Sequence, residues 1–272
     1  MVWQEIAGNW VLLPPRPIAI VHFLGGAFVA TAPQLTYRRL LECLARSGYG
    51  IVATPFINTF DHIGIAENVL WSFDRALHQL QKTGQVSDQL PIYGLGHSMG
   101  CKLHLLIGSV FEVQRSGNLL MAFNNFAARD SIPLMDQFSQ VVQQFAPPLA
   151  PATMVDFTPS PDATNQLIAQ QYAVPRNLLI KFSNDTLDQT RSLANILQTR
   201  FPDQLTLCKL KGNHLTPVAQ DLQWETGTVF TPLDAIGQWV RQEVFRELQQ
   251  LEQALIDWLE LALALEGNSP LR

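Results

Sequence analysis

Short apolar segments alternate with helical patterns along most of this 272-residue chain. Six of these segments have the length of a strand, and Gly, Pro, Asn or Ser bounds each one. Because they do not alternate with polar residues, each strand is expected to be buried on both faces. The alternation predicts a mostly parallel sheet with helices on both sides. The six segments are residues 18–24, 49–53, 90–95, 118–123, 177–182 and 205–210.

Two segments depart from this alternation. Residues 124–176 contain seven prolines, and a structureless loop of this length is rare inside a compact domain. We therefore expect an inserted subdomain there, with a helix near residues 134–145. Residues 1–13 predict a β-hairpin that turns at residues 7–9, before the parallel part. The expected organisation is one domain over residues 1–272 that carries the insertion.

The C-terminal part has a long apolar periodicity. From residue 233 to 266, apolar residues recur at three- and four-residue steps, which predicts one helical segment with a single apolar face. Such a helix would span ~51 Å at ~1.5 Å per residue, more than the sheet of one domain covers. Either the helix breaks, near Gly237 or residues 249–250, and folds onto its own core, or its apolar end near Trp258 packs on the insertion or on a second subunit. A homodimer through this helix is therefore one of the expected arrangements.

Composition excludes several classes of function. The net charge is −5, so the chain lacks the basic surface that binds nucleic acid. The three cysteines are odd in number and widely spaced, which argues against a disulfide framework and favours a reducing compartment. The longest stretch without a charged residue, 17–37, contains two prolines and a Gly-Gly pair, so it does not resemble a membrane span. We expect a cytoplasmic protein with no nucleic acid partner and no integral membrane contact.

No residue pattern indicates a cofactor or a metal ion. Gly94-x-Gly96 begins like a dinucleotide-binding fingerprint, but Met99 stands where that fingerprint needs glycine. No pair of His, Cys, Asp or Glu has a convincing metal-ligand spacing. We therefore expect neither a cofactor nor a metal.

One short motif carries chemistry. Gly-x-Ser-x-Gly occupies residues 96–100, between an apolar strand and a predicted helix. A sharp strand-to-helix turn there would raise the hydroxyl of Ser98 above the sheet edge, with Gly96 and Gly100 relieving the crowding. The start of the helix would aim backbone N–H groups at a developing negative charge. The alternative interpretation is a plain glycine-rich turn.

Three segments carry a resemblance to known proteins: His-Phe-Leu-Gly-Gly-Ala-Phe at 22–28, Gly-His-Ser-Met-Gly-Cys-Lys-Leu-His at 96–104, and Gly-Asn-His-Leu-Thr-Pro at 212–217. With them, the chain resembles the α/β-hydrolase superfamily over roughly residues 18–237. Within that superfamily it is similar to an uncharacterised α/β-hydrolase-like family of cyanobacteria and plastids. The resemblance implies an α/β-hydrolase fold, in which the insertion at 124–176 stands where the superfamily has its lid.

The superfamily has the chain order nucleophile, acid, histidine, which implies a Ser98–Asp185–His214 triad here. Asp185 follows the apolar segment 177–182 and takes the position of the acid, with Asp188 as the alternative acid. Capping of the next helix is the other role for either carboxylate. His214 follows the segment 205–210, and its other role is that of an ordinary loop histidine. In such a triad the imidazole takes the serine proton and the carboxylate orients the ring.

The resemblance also implies an oxyanion hole with two donors. One is the backbone N–H of Met99, next to the nucleophile. The second should come from the turn after the first parallel strand, where the superfamily often has His-Gly followed by the donor. Here His22 is kept but Phe23 replaces the glycine, so the second donor stays open between Leu24 and Gly25. His22 is expected to organise this turn.

Together these features predict a serine hydrolase that transfers an acyl group to water. Charged residues make up only 15% of the chain, against roughly 25% in typical soluble domains, and the insertion is rich in apolar residues. Both observations favour a small-molecule substrate, a carboxylic ester or thioester with an apolar acyl group. The alternative is a catalytically silent binding or scaffold protein that keeps the fold. The departure at Phe23 favours this alternative, and the presence of all three triad residue types argues against it.

Overall fold

The computed structural model describes residues 1–27, 29–127, 156–219 and 232–267. Its strands are β1 (Gln4–Ile6), β2 (Asn9–Leu12), β3 (Ala19–Leu24), β4 (Tyr49–Ala53), β5 (Ile92–His97), β6 (Gly117–Met121), β7 (Asn177–Phe182) and β8 (Leu205–Leu210). They form one sheet in the order β1-β2-β4-β3-β5-β6-β7-β8. Strands β3 to β8 pair parallel, and β1 and β2 join antiparallel at one side. The predicted mostly parallel sheet is confirmed.

The N-terminal hairpin is also confirmed. Ala7 and Gly8 form its two-residue turn, with φ of 48° and 79°. Such left-handed values match the right-handed twist of the two flanking strands. The hairpin extends the sheet beyond β4, because β2 pairs with β4 through Trp10, Val11 and Leu12.

Helices cover both faces of the sheet. They are α1 (Pro33–Thr36), α2 (Arg38–Arg46), α3 (His62–Lys82), α4 (Met99–Val110), α5 (Pro161–Gln171), α6 (Thr190–Arg200) and α7 (Pro232–Gly267). On one face α2 and α7 pack on alternate strand residues such as Val21 and Phe23. On the other face α3 to α6 pack on the intervening residues, such as Ile20 and Leu24. This use of alternate residues explains why the central strands are apolar throughout.

Strand β8 differs from the expectation that it is buried on both faces. In the described part of the sheet it is an edge strand, and Leu207 is 52% exposed. Thr206 and Lys209 are exposed as well. Edge strands tolerate charged side chains, which also discourage pairing with other chains. The sequence of β8 is apolar enough to resemble a central strand, so the pattern of apolar and polar residues does not predict its position at the edge of the sheet.

Helix α7 is a single unbroken helix over Pro232–Gly267. One set of its apolar residues is buried in the main core of the chain itself, whereas Leu261 is 59% exposed. The buried set is Leu248, Leu251, Leu255, Trp258, Leu259 and Ala262. Trp258 is 7% exposed, and its ring meets that of Tyr93 edge to face, with ring centroids 6.1 Å apart. The apolar end of the helix therefore has its packing partner within its own subunit.

Most of the predicted insertion, including the expected helix at residues 134–145, lies outside the described residues. The described C-terminal end of the insertion forms α5. The buried side chain of Ile168 on that helix belongs to a core cluster shared with α4 and α6.

Candidate active site

The carboxyl ends of four parallel strands meet at one edge of the sheet, and each is followed by a part of the candidate site. The turn after β3 carries Gly26 and Ala27, and the turn after β5 carries Ser98. The loops after β7 and β8 carry Asp185 and His214. In open parallel sheets, the crevice outside these strand ends is where ligands bind.

Ser98 lies on a sharp turn between β5 and α4. Its φ of 54° and ψ of −116° fall in a region that costs a non-glycine residue about 1–3 kcal/mol. The two glycines of the motif make this turn possible. A β-carbon at Gly96 would lie 2.6 Å from the backbone N of Cys101, and one at Gly100 would overlap the carbonyl of Leu24. The strand-turn-helix arrangement expected from the motif is therefore present.

The structure brings Asp185 and His214 together. Asp185 Oδ2 lies 2.8 Å from His214 Nδ1, and both side chains are buried. The other carboxylate oxygen accepts the N–H of Leu187 at 2.9 Å, so the carboxylate is held from two sides. Gly212 shapes the loop that carries the histidine, because its φ is 123° and a β-carbon there would overlap the hydroxyl of Thr216.

Asp188, the alternative acid, is bound elsewhere. Its carboxylate pairs with Lys181 Nζ at 3.0 Å. It also accepts the backbone N–H of Thr190 at 2.8 Å and the Thr190 hydroxyl at 3.0 Å, at the start of α6. A carboxylate at a helix start satisfies free N–H groups and favours the helix dipole. Of the two acids, the structure places Asp185 at His214 and gives Asp188 the capping position.

The residues of the turn after β3 differ in how they face the cavity. Leu24 is fully buried beneath the turn, and Gly25 lies against the ring of Tyr37. The cavity next to Ser98 is instead lined by the following two residues, Gly26 and Ala27. On the opposite side, Met99 is the first residue of α4 and also lines the cavity. The N–H of a first helical residue has no acceptor within its own helix.

Sequence reasoning missed Asn124, three residues beyond β6. Its Nδ2 donates to Ser98 Oγ at 3.0 Å. The available signal was its position: a polar residue just after the carboxyl end of the strand next to β5. That rule identifies the correct sheet edge, but it does not tell which polar residue turns toward the serine.

A buried chain of hydrogen bonds joins the three loops of the site. The N–H of Gly26 donates to the Tyr37 hydroxyl at 2.8 Å, and that hydroxyl lies 2.7 Å from His97 Nδ1. His97 Nε2 lies 2.9 Å from the carbonyl oxygen of His214, so Nε2 carries the hydrogen and Nδ1 accepts from Tyr37. Burial, followed by the proximity of His214, lowers the pKa of His97 well below its usual value. The ring is therefore neutral and held in one tautomer.

A cavity of about 80 Å³ adjoins Ser98 and His214. Much of its wall is apolar, formed by Val29, Met99, Phe126, Phe157, Leu187 and Val218. Its polar side chains include Asn58, His62 and Lys102. The cavity thus joins an apolar surface and a small polar cluster beside the serine.

Nearly the whole chain matches one known protein family. Residues 2–261 match DUF1350, described as a protein of unknown function. The chain belongs to this family. No curated protein matches the chain. For this member of the DUF1350 family, the remaining comparisons are therefore with solved structures.

Solved structures with similar folds are distant in sequence. The chain is 12% identical to the esterase Pf2001 of Pyrococcus furiosus, with a TM-score of 0.58 over 96% of this chain and 91% of that one. It is 13% identical to a monoacylglycerol lipase of Paleococcus ferrophilus, with a TM-score of 0.53 over 93% and 99% of the two chains. A thioesterase domain from the curacin biosynthetic pathway is 16% identical, with a TM-score of 0.51 over 80% and 94%. These are α/β-hydrolase structures, and this member of the DUF1350 family has the same fold.

None of the helices in the described ranges has the length and apolar content needed to cross a membrane. In the same ranges, no group of three or more His, Cys, Asp or Glu side chains is placed to hold a metal ion.

Proposed function

We propose that this protein is a serine-dependent hydrolase with Ser98 as nucleophile, His214 as general base and Asp185 as the acid that orients the histidine. The observation that carries the proposal is the buried Asp185–His214 pair, 2.8 Å apart, on a cavity that Ser98 also lines. A serine in a strained strand-to-helix turn beside such a pair is the arrangement that activates a hydroxyl.

The reaction follows from the atoms at the site. Since Asp185 holds Nδ1 of His214, Nε2 is the nitrogen that takes the Ser98 proton as Oγ bonds to the carbonyl carbon. The resulting oxyanion collapses, the bond to the leaving group breaks, and His214 returns the proton to the departing alcohol or thiol. Water then attacks the acyl-serine, loses its proton to His214, and releases the acid with Ser98 restored.

Two backbone N–H groups are proposed to stabilise the oxyanion. The first belongs to Met99, at the start of α4. We assign the second to Ala27, in place of Leu24 or Gly25. The support is that Gly26 and Ala27 line the cavity and that the Gly26 N–H is already bound to Tyr37. Removing one donor of this kind costs about 10²–10³-fold in kcat in a well-studied hydrolase.

The proposed substrate is a carboxylic ester or thioester with an apolar acyl group. The apolar part of the cavity wall supports this choice, because ligand pockets are mostly apolar with a few polar groups that fix orientation. Phe126 and Phe157 both belong to the insertion and both line the cavity. Their positions support the prediction that residues 124–176 form a lid over Ser98.

Two finer expectations remain predictions. The resemblance to the family of cyanobacteria and plastids is one, and the homodimer through the C-terminal helix is the other. The site as proposed uses one subunit, and the buried apolar residues of α7 between Leu248 and Ala262 pack on their own core. The hydrolase proposal therefore does not depend on a dimer.

A fluorophosphonate probe tests the proposal, because only an activated serine reacts with it. We expect labelling at Ser98 and hydrolysis of p-nitrophenyl butyrate, both abolished by Ser98→Ala. Ser109→Ala is the matched control: Ser109 is on the same helix, is equally buried at 8% exposure, and donates to the Leu105 carbonyl at 2.7 Å. Equal hydrolysis by wild type and Ser98→Ala would refute Ser98 as the nucleophile, and no labelling of wild type would favour the silent binding or scaffold protein.

A further inference from the structure

Lys102 is a buried cation that makes no hydrogen bond within the described residues. It lies on α4, four residues after Ser98, and only 2% of its surface is exposed. Its Nζ is buried, and none of the described residues offers it a hydrogen-bond acceptor. Yet it lines the same cavity as Ser98 and His214. Buried charges are normally paired, because removing an ammonium from water is costly.

The contacts of Lys102 do not account for its burial. Its Nζ lies over the ring of Phe157, 5.7 Å from the ring centroid. The charge of Asp156 attracts the ammonium. Burial consequently lowers the pKa of Lys102 from its usual value to about 8, and Asp156 raises it only in part. An aliphatic side chain of similar length would fill this space without the electrostatic penalty.

His62 is a second buried polar group in the same cavity. It is 3% exposed, and no described residue makes a well-formed hydrogen bond to either ring nitrogen, although the backbone of Thr59 lies near enough to raise the pKa of the ring in part. Its ring stacks on Phe157 with centroids 4.3 Å apart, which fixes the plane of the imidazole. Burial, then the charge of Lys102, lowers the pKa of His62 to about 3, so the ring is neutral and offers one N–H.

We propose that Lys102 and His62 form a subsite for an anionic group of the substrate, next to the carbonyl that Ser98 attacks. A carboxylate or phosphate there would accept hydrogen bonds from the Lys102 ammonium and the His62 N–H, which supplies the partners that both groups lack. This inference deepens the proposed hydrolase function and rests on it. It selects esters or thioesters that combine an apolar acyl part with a negative charge.

The charge can reside on either side of the scissile bond, and two matched pairs of esters distinguish the cases. On the acyl side, p-nitrophenyl hydrogen glutarate is compared with p-nitrophenyl methyl glutarate. On the alcohol side, 4-butyryloxybenzoate is compared with its methyl ester. We measure the ratio of kcat/KM for the charged ester to that for its neutral partner, since activity common to both esters cancels.

In wild type we expect one pair to favour the charged ester. Lys102→Met should lower that ratio by about ten-fold to a hundred-fold, the range for losing a hydrogen bond to a charged group. Lys82→Met makes the same chemical change at an exposed lysine at the far end of α3 and should keep the wild-type ratio. If Lys102→Met does not fold, His62→Leu removes the second donor and should lower the ratio several-fold.

The dependence of this ratio on pH provides an independent check. The ammonium is charged below a pKa of about 8, so the ratio should be highest at lower pH and should fall as the pH rises through 8. His62, with a pKa of about 3, does not titrate in that range. Asp156 is the acidic group whose charge acts on the ammonium. Lys102→Met should show no such fall.

Calorimetry with the Ser98→Ala protein separates failure of the subsite from failure of catalysis. Monomethyl glutarate should bind at least ten-fold more tightly than dimethyl glutarate, and Lys102→Met should remove the difference. If wild type hydrolyses no ester but this binding preference is present, the hydrolase proposal fails and the subsite stands. If wild type is active but every charged-to-neutral ratio is at or below one and unchanged in Lys102→Met, the subsite is refuted.

Discussion

Replacing Tyr37 by Phe should destabilise the protein, because one hydroxyl completes two buried hydrogen bonds. The Tyr37 hydroxyl accepts the Gly26 N–H at 2.8 Å and donates to His97 Nδ1 at 2.7 Å. Phe keeps the ring but leaves a buried donor and a buried acceptor unpaired. Each unpaired group costs about 1–3 kcal/mol, so the free energy of unfolding should fall by about 2–6 kcal/mol.

The same change should slow hydrolysis, although Tyr37 does not line the cavity. Gly26 precedes Ala27, the proposed second oxyanion donor, and His97 holds the carbonyl of His214 at 2.9 Å. Loss of the hydroxyl frees both loops to shift relative to Ser98. Misplacement of reacting groups by about 1 Å can cost about 10²-fold, so kcat/KM should fall by about ten-fold to a hundred-fold.

Tyr49→Phe is the matched control. Tyr49 belongs to the same core and is also fully buried, but none of the described residues forms a hydrogen bond with its hydroxyl. Removing an unpaired buried hydroxyl should leave the free energy of unfolding unchanged or raise it. Urea unfolding followed by circular dichroism gives the stability, and hydrolysis of p-nitrophenyl butyrate gives the rate. If the two variants lose the same stability, the hydrogen-bond chain through Tyr37 does not have the energetic weight argued above.

Four other substitutions test separate parts of the site. Asp185→Asn should lower kcat by about 10³-fold or more, because it removes the carboxylate that orients His214. Asp188→Asn should mainly lower the melting temperature. If steady-state kinetics gave the reverse ranking, Asp188 would be the acid. Gly100→Ala should cost about 3 kcal/mol or more, because the new β-carbon overlaps a backbone carbonyl; soluble yield and urea unfolding measure it, and a stable variant would contradict the close approach. Asn124→Ala should lower kcat/KM by about two-fold to ten-fold through loss of its hydrogen bond to Ser98, and an unchanged rate would remove it from the site.

Much of the fold could be predicted because its signals are local. Apolar runs, turn residues and helical periodicity lie within single segments, and chain order then places strand ends on one sheet edge. Ser98 could be predicted for the same reason, since the turn itself requires the two glycines that flank the serine. The positions of Asp185 and His214 followed from the order of the strands and the family resemblance.

The groups that escaped prediction depend on contacts between distant segments. Tyr37 lies at the break between α1 and α2, and nothing near it in sequence indicates that its hydroxyl reaches Gly26 and His97. That bond fixes the Gly26 N–H at the turn where the second oxyanion donor was expected. The burial of Lys102 could not be predicted either, because a lysine on a helix is normally solvated.

The edge position of β8 has a consequence for how the protein would lose activity. In the described part of the sheet this strand is bonded on one side only, to β7, and it leads directly into the loop of His214. Ser98, by contrast, follows β5, which is flanked by β3 and β6. Strands at the margin of a sheet open by local unfolding at lower free energy than central ones. Mild denaturant would therefore unfold β8 and displace His214, the proposed base, while the turn of Ser98 is still folded. Loss of activity and amide hydrogen exchange in β8 would then precede unfolding of the central strands.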